Sequence, residues 1–495
     1  MKEKILLINP PEVPGYVSDK DKAGGLGIAK PGAPFRLTTA PLDLLYSAAV
    51  CEREGYDVAI IDAHNLRLGQ PETQKIITEC APFLIGIRLS LPSLQKDIEF
   101  SNQLKAFFPQ VSFFLFGNVI LPTFNEWKEE AAAEFVLWGE PEAILPDWLR
   151  DFSKETLPRG VLSLKRNPVS PNPQEWVFMS NPTDLPFPAW HLLPFEQYVP
   201  LMHTRKGEGY LFFLLASRGC PRGCSMCPYH VTQGSRWRNR SPGNVVDEME
   251  YLQKEMGAEL VQFRDPNFAF KQSWALNVCK EIVERGLSMP WTVELEIEYL
   301  TKETIRCLAE ANCMRIMTGV ETFDEETLKS IGQKGKSIIQ KIMENLQYCR
   351  EIGLEVQFFY IIGFETDSWR EIKNRLKMAK VLGGDFSASI LTPYPGTKYK
   401  DEAKQKGHFN RNVVTSDFNG FTPVVHTAHL SQRDLLFAYN YFVDALTIYH
   451  SRSWASPGAT IFKKVRNRFG YVKRILLFLP RFVLFQYKLL REDRP

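Results

Sequence analysis

Three cysteines fall within eight positions, in the run Cys220-Pro221-Arg222-Gly223-Cys224-Ser225-Met226-Cys227. Thiolates this close on one loop are suited to metal. Three sulfurs can each take one iron of a cubane cluster and leave the fourth iron open to a small chelating ligand. Zinc is the other candidate, because His230, three residues beyond Cys227, could close a Cys₃His site. Gly219 and Gly223 let the backbone curl around the sulfurs. Arg218 and Arg222 would offset the negative charge of a cluster. The other six cysteines (Cys51, Cys80, Cys279, Cys307, Cys313, Cys349) are scattered, mostly in apolar patterns, and read as small buried hydrophobes. Nine cysteines in 495 residues do not make a disulfide framework.

The elements that must position this loop are legible as alternation. Hydrophobic residues at 44% and charged residues at 24% exclude a disordered chain, and the length implies several domains. Lys4–Asn9, Asp57–Ile61, Phe83–Arg88, Ser112–Phe116 and Glu134–Leu137 are apolar runs of strand length, with helical periodicity around 41–54, 73–81 and 94–108. That alternation predicts a doubly wound parallel sheet over 1–152. Eight prolines between 158 and 194 suggest an extended linker over 153–208. A second series follows over 209–400. Its strands are predicted at 211–217, 260–264, 292–297, 315–320, 356–362 and 388–391, with helices between them. Six strand–helix units predict a (β/α)6 partial barrel with chemistry at the loops after the strands. The cysteine loop follows the first of those strands. A helical, basic extension is expected over 401–495.

At these residues the chain resembles the radical S-adenosylmethionine (SAM) superfamily, whose hallmark is Cys-x₃-Cys-x₂-Cys in this position. The first part and the linker sequence Asp184-Leu185-Pro186-Phe187-Pro188-Ala189-Trp190 resemble the subgroup that carries a cobalamin-binding domain. The resemblance implies a [4Fe–4S] cluster on Cys220, Cys224 and Cys227. Its open iron would chelate SAM, and one electron would release a 5′-deoxyadenosyl radical. Piecewise, the resemblance assigns SAM contacts to Met226, Gly319, Glu321, Gly363 and Asn267, the last within Asp265-Pro266-Asn267-Phe268. Pro395-Gly396-Thr397 resembles the close of the barrel. Two positions depart from the family. Met226 stands where an aromatic residue is common, and Glu294-Leu295-Glu296-Ile297-Glu298 occupies the third strand where many relatives carry an arginine.

For the first domain the resemblance implies cobalamin, held at the strand ends by Asn9, Asp62, His64, Ser90, Gly117, Asn118, Gly139 and Glu140. The signature Asp-x-His-x-x-Gly is incomplete, because Arg67 takes the place of the glycine after Asp62-Ala63-His64. Histidine-off cobalamin is therefore expected; the other readings are cobalt ligation by His64 and a domain that lost its cofactor. Cobalamin would favour methyl transfer to an unreactive carbon. The alternatives are rearrangement, cyclisation or oxidation within the family, and a non-catalytic zinc-stabilised sensor outside it. The expected partners are a small or lipid-like substrate and an electron donor such as flavodoxin or ferredoxin.

Charge is unevenly spread. Residues 451–495 hold eleven Lys and Arg against two acids, so the first 450 carry net −6 although the chain is +3. The cations of 457–491 alternate with bulky apolar residues, which suits peripheral membrane contact. A terminal helix with a solvated basic face is the bland alternative, and nucleic-acid binding is disfavoured. No apolar run reaches the length of a membrane span, so a cytoplasmic protein is expected, with any membrane association on the cytoplasmic face.

Overall fold

A computed structural model describes residues 3–32, 39–152, 156–165, 171–194, 202–204, 207–332, 335–451 and 461–492. Pro168 of the linker and residues 457–460 lie outside the described residues, as do the side chains of 461–476.

The first sheet is built from β1 (Lys4–Asn9), β4 (Asp57–Asp62), β5 (Leu84–Arg88), β6 (Ser112–Phe116), β7 (Phe135–Leu137) and β8 (Val161–Ser163). A separate antiparallel hairpin, β2 (Tyr16–Asp19) and β3 (Ile28–Pro31), interrupts the connection after β1. The order is β4-β1-β5-β6-β7-β8, parallel except where β8 returns along β7. Strand periodicity divides the side chains between two faces. Ile5, Leu7, Phe114 and Phe116 pack with helices Leu42–Arg53 and Pro141–Arg150. Leu6, Ile8, Phe113 and Leu115 pack with Leu94–Phe107 and Ile120–Trp127 on the opposite face. Both faces are dry, which is why these strands read as continuous apolar runs.

The second sheet contains β9 (Met202–Thr204), β10 (Gly207–Leu214), β13 (Ala258–Phe263), β14 (Trp291–Glu294), β15 (Cys313–Glu321), β16 (Glu355–Ile362) and β17 (Asp385–Ile390). Six parallel strands run in sequence order from β10 to β17, and β9 pairs antiparallel on the outer edge of β10. This is the expected (β/α)6 partial barrel. A small clip, β11 (Ser217–Arg218) with β12 (Arg238–Asn239), brackets the cysteine loop. The proline-rich segment does more than extend. Trp176 and Trp190 are 2% and 0% exposed, and Trp190 packs edge-on against Phe212 of the barrel. Burying an aromatic side chain contributes about 2–3 kcal/mol, so these residues fasten the segment across both sheets.

The carboxyl ends of the two sheets face one another. Arg264, just past β13, pairs with Asp19 at 3.0 Å, and Glu294 at the end of β14 pairs with Lys22 at 3.2 Å. The β2–β3 hairpin and its turn therefore lie between the sheets.

Candidate active site

The cysteine loop begins where β10 ends. Asp265, fully buried just past β13, accepts the Ala216 N–H at 2.8 Å and the Ser217 hydroxyl at 2.5 Å, and burial pushes its carboxyl up to about 7. Gly219 then adopts φ +80°, and a Cβ there would stand 2.2 Å from the Arg236 carbonyl oxygen. Only glycine fits this closure. The Cys220 N–H donates to Gly234 O at 3.0 Å, and the Cys227 N–H donates to Cys224 O at 3.1 Å.

The three thiols occupy one electrostatic environment. Burial raises all three above the ordinary thiol range, Cys224 to about 11. The neighbouring Cys220, Cys224 and Glu321 charges push Cys227 further. Such a set favours a cationic guest that takes up the thiolates. Among the described residues, no three His, Cys, Asp or Glu side chains converge on a single ion. A cubane requires separated sulfurs, one per iron, so the donor set fits a cluster better than a Cys₃His zinc site. His230 is half-buried, and burial lowers its pKa.

Carboxylates line the neighbouring strand ends. Glu321 closes β15 at φ +59°, and its Oε1 folds back to within 2.3 Å of where a Cβ on Gly319 would sit. Its Oε2 is buried without a hydrogen-bond partner. Burial pushes the carboxyl up to about 8, opposed by Arg375 and reinforced by Glu298 and Glu294. Glu298 is 3% exposed with Oε2 unpaired, and burial raises it to about 7. The sequence singles out Glu321 but places Glu298 only on the third strand. The inward placement of Glu298 follows from the 3₁₀ turn Ile297–Tyr299, which ends the pleat early.

Glu296 faces the cysteine loop. Its Oε2 accepts both Arg222 Nε and Asn267 Nδ2, each at 2.6 Å. The Arg222 guanidinium lies 3.9 Å from the centre of the Tyr299 ring. No other hydrogen bond engages it among the described residues, so its two terminal nitrogens remain available beside the thiols. Met226 is 9% exposed and packs with Leu328, Ile331, Phe364 and Leu391 in a small apolar cluster. The Gly363 N–H, at φ +114°, donates to Asp367, which pairs with the buried Arg375. A cavity of 440 Å³ opens beyond β15, lined by Thr322, Asp324, Arg375 and Met378 among others, and none of the three cysteines reaches it.

In the first sheet the chain crosses from β4 to the far side of β1 to form β5, so a topological switch point lies between β1 and β5. Asn9 and Ser90 flank that crevice. Asn9 Nδ2 donates to Asp62 at 2.8 Å, while Asn9 Oδ1 is buried and unpaired. The His64 ring lies with Nε2 3.3 Å from Ser18 O and Nδ1 unpaired, and burial then Lys20 lower its pKa to about 4. The Ser90 hydroxyl donates to Leu26 O, and Asn118 donates to Gly24 O. The turn after β2 thus brings His64, Ser90 and Asn118 under one cover. Gly117 and Gly139 abut the backbone carbonyls of Leu89 and Val177, where a Cβ would approach within 2.6 and 2.4 Å.

Glu140 takes a different position. It is held bidentate by Arg238, with both contacts at 2.8 Å, and lies 3.5 Å from Arg218. Glu142 pairs with Arg218 as well. The two arginines outweigh burial and hold the Glu140 carboxyl below its usual range. Two carboxylates of the first domain thus anchor the strand that leads into the cysteines. Sequence reading missed this link because the partners are some 80 to 100 positions apart.

The profile of the radical SAM superfamily matches residues 214–379. About a third of the chain is thus similar to that superfamily. It is 27% identical over 406 residues to an uncharacterized methyltransferase of Pyrococcus horikoshii, covering 80% of this chain and 85% of that one. It is 20% identical to an anaerobic magnesium-protoporphyrin IX monomethyl ester cyclase of Rubrivivax gelatinosus, covering 82% and 73%. Its fold matches that of a cobalamin-dependent SAM radical enzyme, OxsB, solved with aqua-cobalamin and SAM. That match has a TM-score of 0.73 at 14% identity and covers 98% of this chain and 72% of the other. The chain is an enzyme, and the matched residues include the cysteine loop described above.

Proposed function

We propose that this enzyme is a cobalamin-dependent radical SAM methyltransferase acting on an unreactive carbon of a small or lipid-like metabolite. The observation that carries the reading is the set of three thiols on one loop, close enough to the unpaired carboxylate of Glu321 for its charge to act on Cys224 and Cys227. When bound, the [4Fe–4S] cluster and SAM would supply a carbon radical, and cobalamin would supply the methyl carrier.

On this reading Cys220, Cys224 and Cys227 hold three irons. Glu321 accepts two ribose hydroxyls through its two oxygens. Gly319 leaves room for that carboxylate, Met226 packs on the adenine, and Gly363 allows close backbone approach. Arg222 offers the guanidinium that the third strand lacks, and its free nitrogens would meet the SAM carboxylate. Glu296 and Asn267 orient it. The buried apolar cluster around Met226 excludes water. Cobalamin would sit in the β1/β5 crevice against Asn9, Asp62, His64, Ser90, Gly117, Asn118 and Gly139. Glu140 would act through Arg218 and Arg238. The unpaired Asn9 Oδ1 and His64 Nδ1 are acceptors that a donor-rich corrin could satisfy, which supports this placement. A flavodoxin or ferredoxin would deliver the electron.

The similarity to the cyclase supports a second reading, ring closure or oxidation without methyl transfer. Anaerobic reconstitution with iron, sulfide and cobalamin, followed by incubation with methyl-labelled SAM, separates the two. Label in a product supports the first reading, whereas 5′-deoxyadenosine without labelled product supports the second. Among the described residues no helix is long and apolar enough to cross a membrane. We infer peripheral contact with the cytoplasmic face of a membrane through the terminal helix.

A further inference from the structure

The terminal helix, Ile461–Glu492, is docked by one face. Phe485 is 1% exposed and stacks on Tyr441, with centroids 4.0 Å apart and planes 7° from parallel. Phe478 stacks on the same ring at 5.2 Å, and Leu489 is buried beside them. Lys488 pairs with Asp434 and Arg481 with Asp444. Glu492 accepts the backbone N–H groups of Trp369 and Arg370, at 3.2 and 2.9 Å. These contacts fix the rotation of the helix about its axis.

The opposite face carries an anomaly. A helix packed on a protein by an apolar stripe is expected to show polar residues outward. Here Leu479, Val483 and Leu490 point outward at 50%, 66% and 63% exposure, and Tyr487 at 49%. Their spacing of four, four and three puts them on one stripe. The same spacing continues back in the sequence through Leu476, Val472, Phe469 and Val465. The helix holds nine Lys and Arg against a single acid, Glu492. The same helix of a second copy would therefore set like charge against like charge. An anionic surface complements both the stripe and its cations. Pro480 and Arg481 interrupt the apolar run, which suits lying in an interface and not crossing it.

We propose that the Leu479–Val483–Tyr487–Leu490 face docks the enzyme flat on an anionic phospholipid bilayer. This deepens the membrane contact inferred above and is independent of the cluster assignment. A helix lying in the interface would bring the barrel to a surface from which an apolar substrate could be collected.

The test is flotation of the full-length protein with phosphatidylcholine vesicles, with and without about 30% phosphatidylglycerol. The wild type is expected to bind the anionic vesicles at least tenfold better than the neutral ones, with binding lost at high salt. A Leu479→Glu/Val483→Glu/Leu490→Glu variant should lose binding while its iron loading and circular dichroism stay as in the wild type. A second variant, with Lys463, Lys464, Arg466 and Arg468 replaced by Gln, should weaken the anionic preference without touching the apolar stripe. Absence of wild-type binding overturns the membrane contact itself. Equal binding by the glutamate variant overturns the face assignment. Concentration-dependent dimerisation that the glutamates abolish, without vesicle binding, overturns the lipid as occupant. None of these outcomes bears on SAM cleavage, which is scored separately.

Discussion

Substituting the two loop glycines should have very different consequences. Gly219 and Gly223 both hold positive φ, +80° and +64°. An alanine at either position pays about 1–2 kcal/mol for the left-handed backbone. At Gly223 the new methyl meets nothing within 4 Å, so the cost ends there. At Gly219 it lands 2.2 Å from Arg236 O and 3.0 Å from Gly234 O, both backbone atoms held by the β11–β12 clip. Clearing them displaces the Gly234 carbonyl that accepts the Cys220 N–H, and a donor left unpaired costs a further ~1–3 kcal/mol. A net difference of about 1–3 kcal/mol corresponds to roughly 5- to 150-fold in the population of the closed loop. The assay is iron and sulfide content with the visible spectrum after anaerobic reconstitution at limiting iron. Gly223→Ala should lose some of its cluster, and Gly219→Ala should lose far more. Equal loading of the two variants would refute the claim that this loop geometry presents the thiols.

Other substitutions test separate parts of the site. Arg222→Gln should keep its iron but bind SAM about tenfold or more weakly, as expected for a lost charge-assisted hydrogen bond. Its affinity for 5′-methylthioadenosine, which lacks the amino-acid carboxylate, should be unchanged in equilibrium dialysis. Glu140→Gln removes a charge from two buried arginines and should lower stability by roughly 3 kcal/mol, with reduced cluster loading, measured by urea unfolding and iron content. Burial raises Glu298 from 4.5 to about 7, so the folded protein binds the proton more tightly than the unfolded chain. That contribution is fully present below about pH 4.5 and is lost as pH rises through 7. Glu298→Gln should therefore match the wild type near pH 4.5 and exceed it by on the order of 3 kcal/mol at pH 8, in urea midpoints of the apoprotein. A wild type that is the more stable at pH 8 would contradict this.

Much of the architecture was readable because the two sheets obey simple periods. The strands β1 and β6 fall where Lys4–Asn9 and Ser112–Phe116 were expected, and helix Leu94–Phe107 lies where its periodicity placed it. Strand ends proved less certain. The predicted strand 292–297 breaks at Glu294 because the backbone turns into a 3₁₀ helix, and that turn carries Glu298 into the interior. The β2–β3 hairpin is joined by residues 20–27, too long a connection to read as a two-residue turn. It is held instead by contacts such as Asp19 to Arg264, 245 positions away, which no local pattern reveals. Proline content correctly marks 171–194 as irregular, yet it hides the fully buried Trp190. In the site, the cysteine spacing carried its own signal. The pairing of Arg222 with Glu296 did not, because the two residues lie 74 positions apart and no local pattern joins them.

The electron paramagnetic resonance spectrum of the reduced, anaerobically reconstituted protein, taken before and after adding SAM, tests the central assignment most directly. The expected result is about four irons per chain, with a cluster signal that changes on SAM addition in the wild type and is absent from Cys224→Ala. Stoichiometric zinc with no cluster signal, or a cluster signal indifferent to SAM, would contradict it.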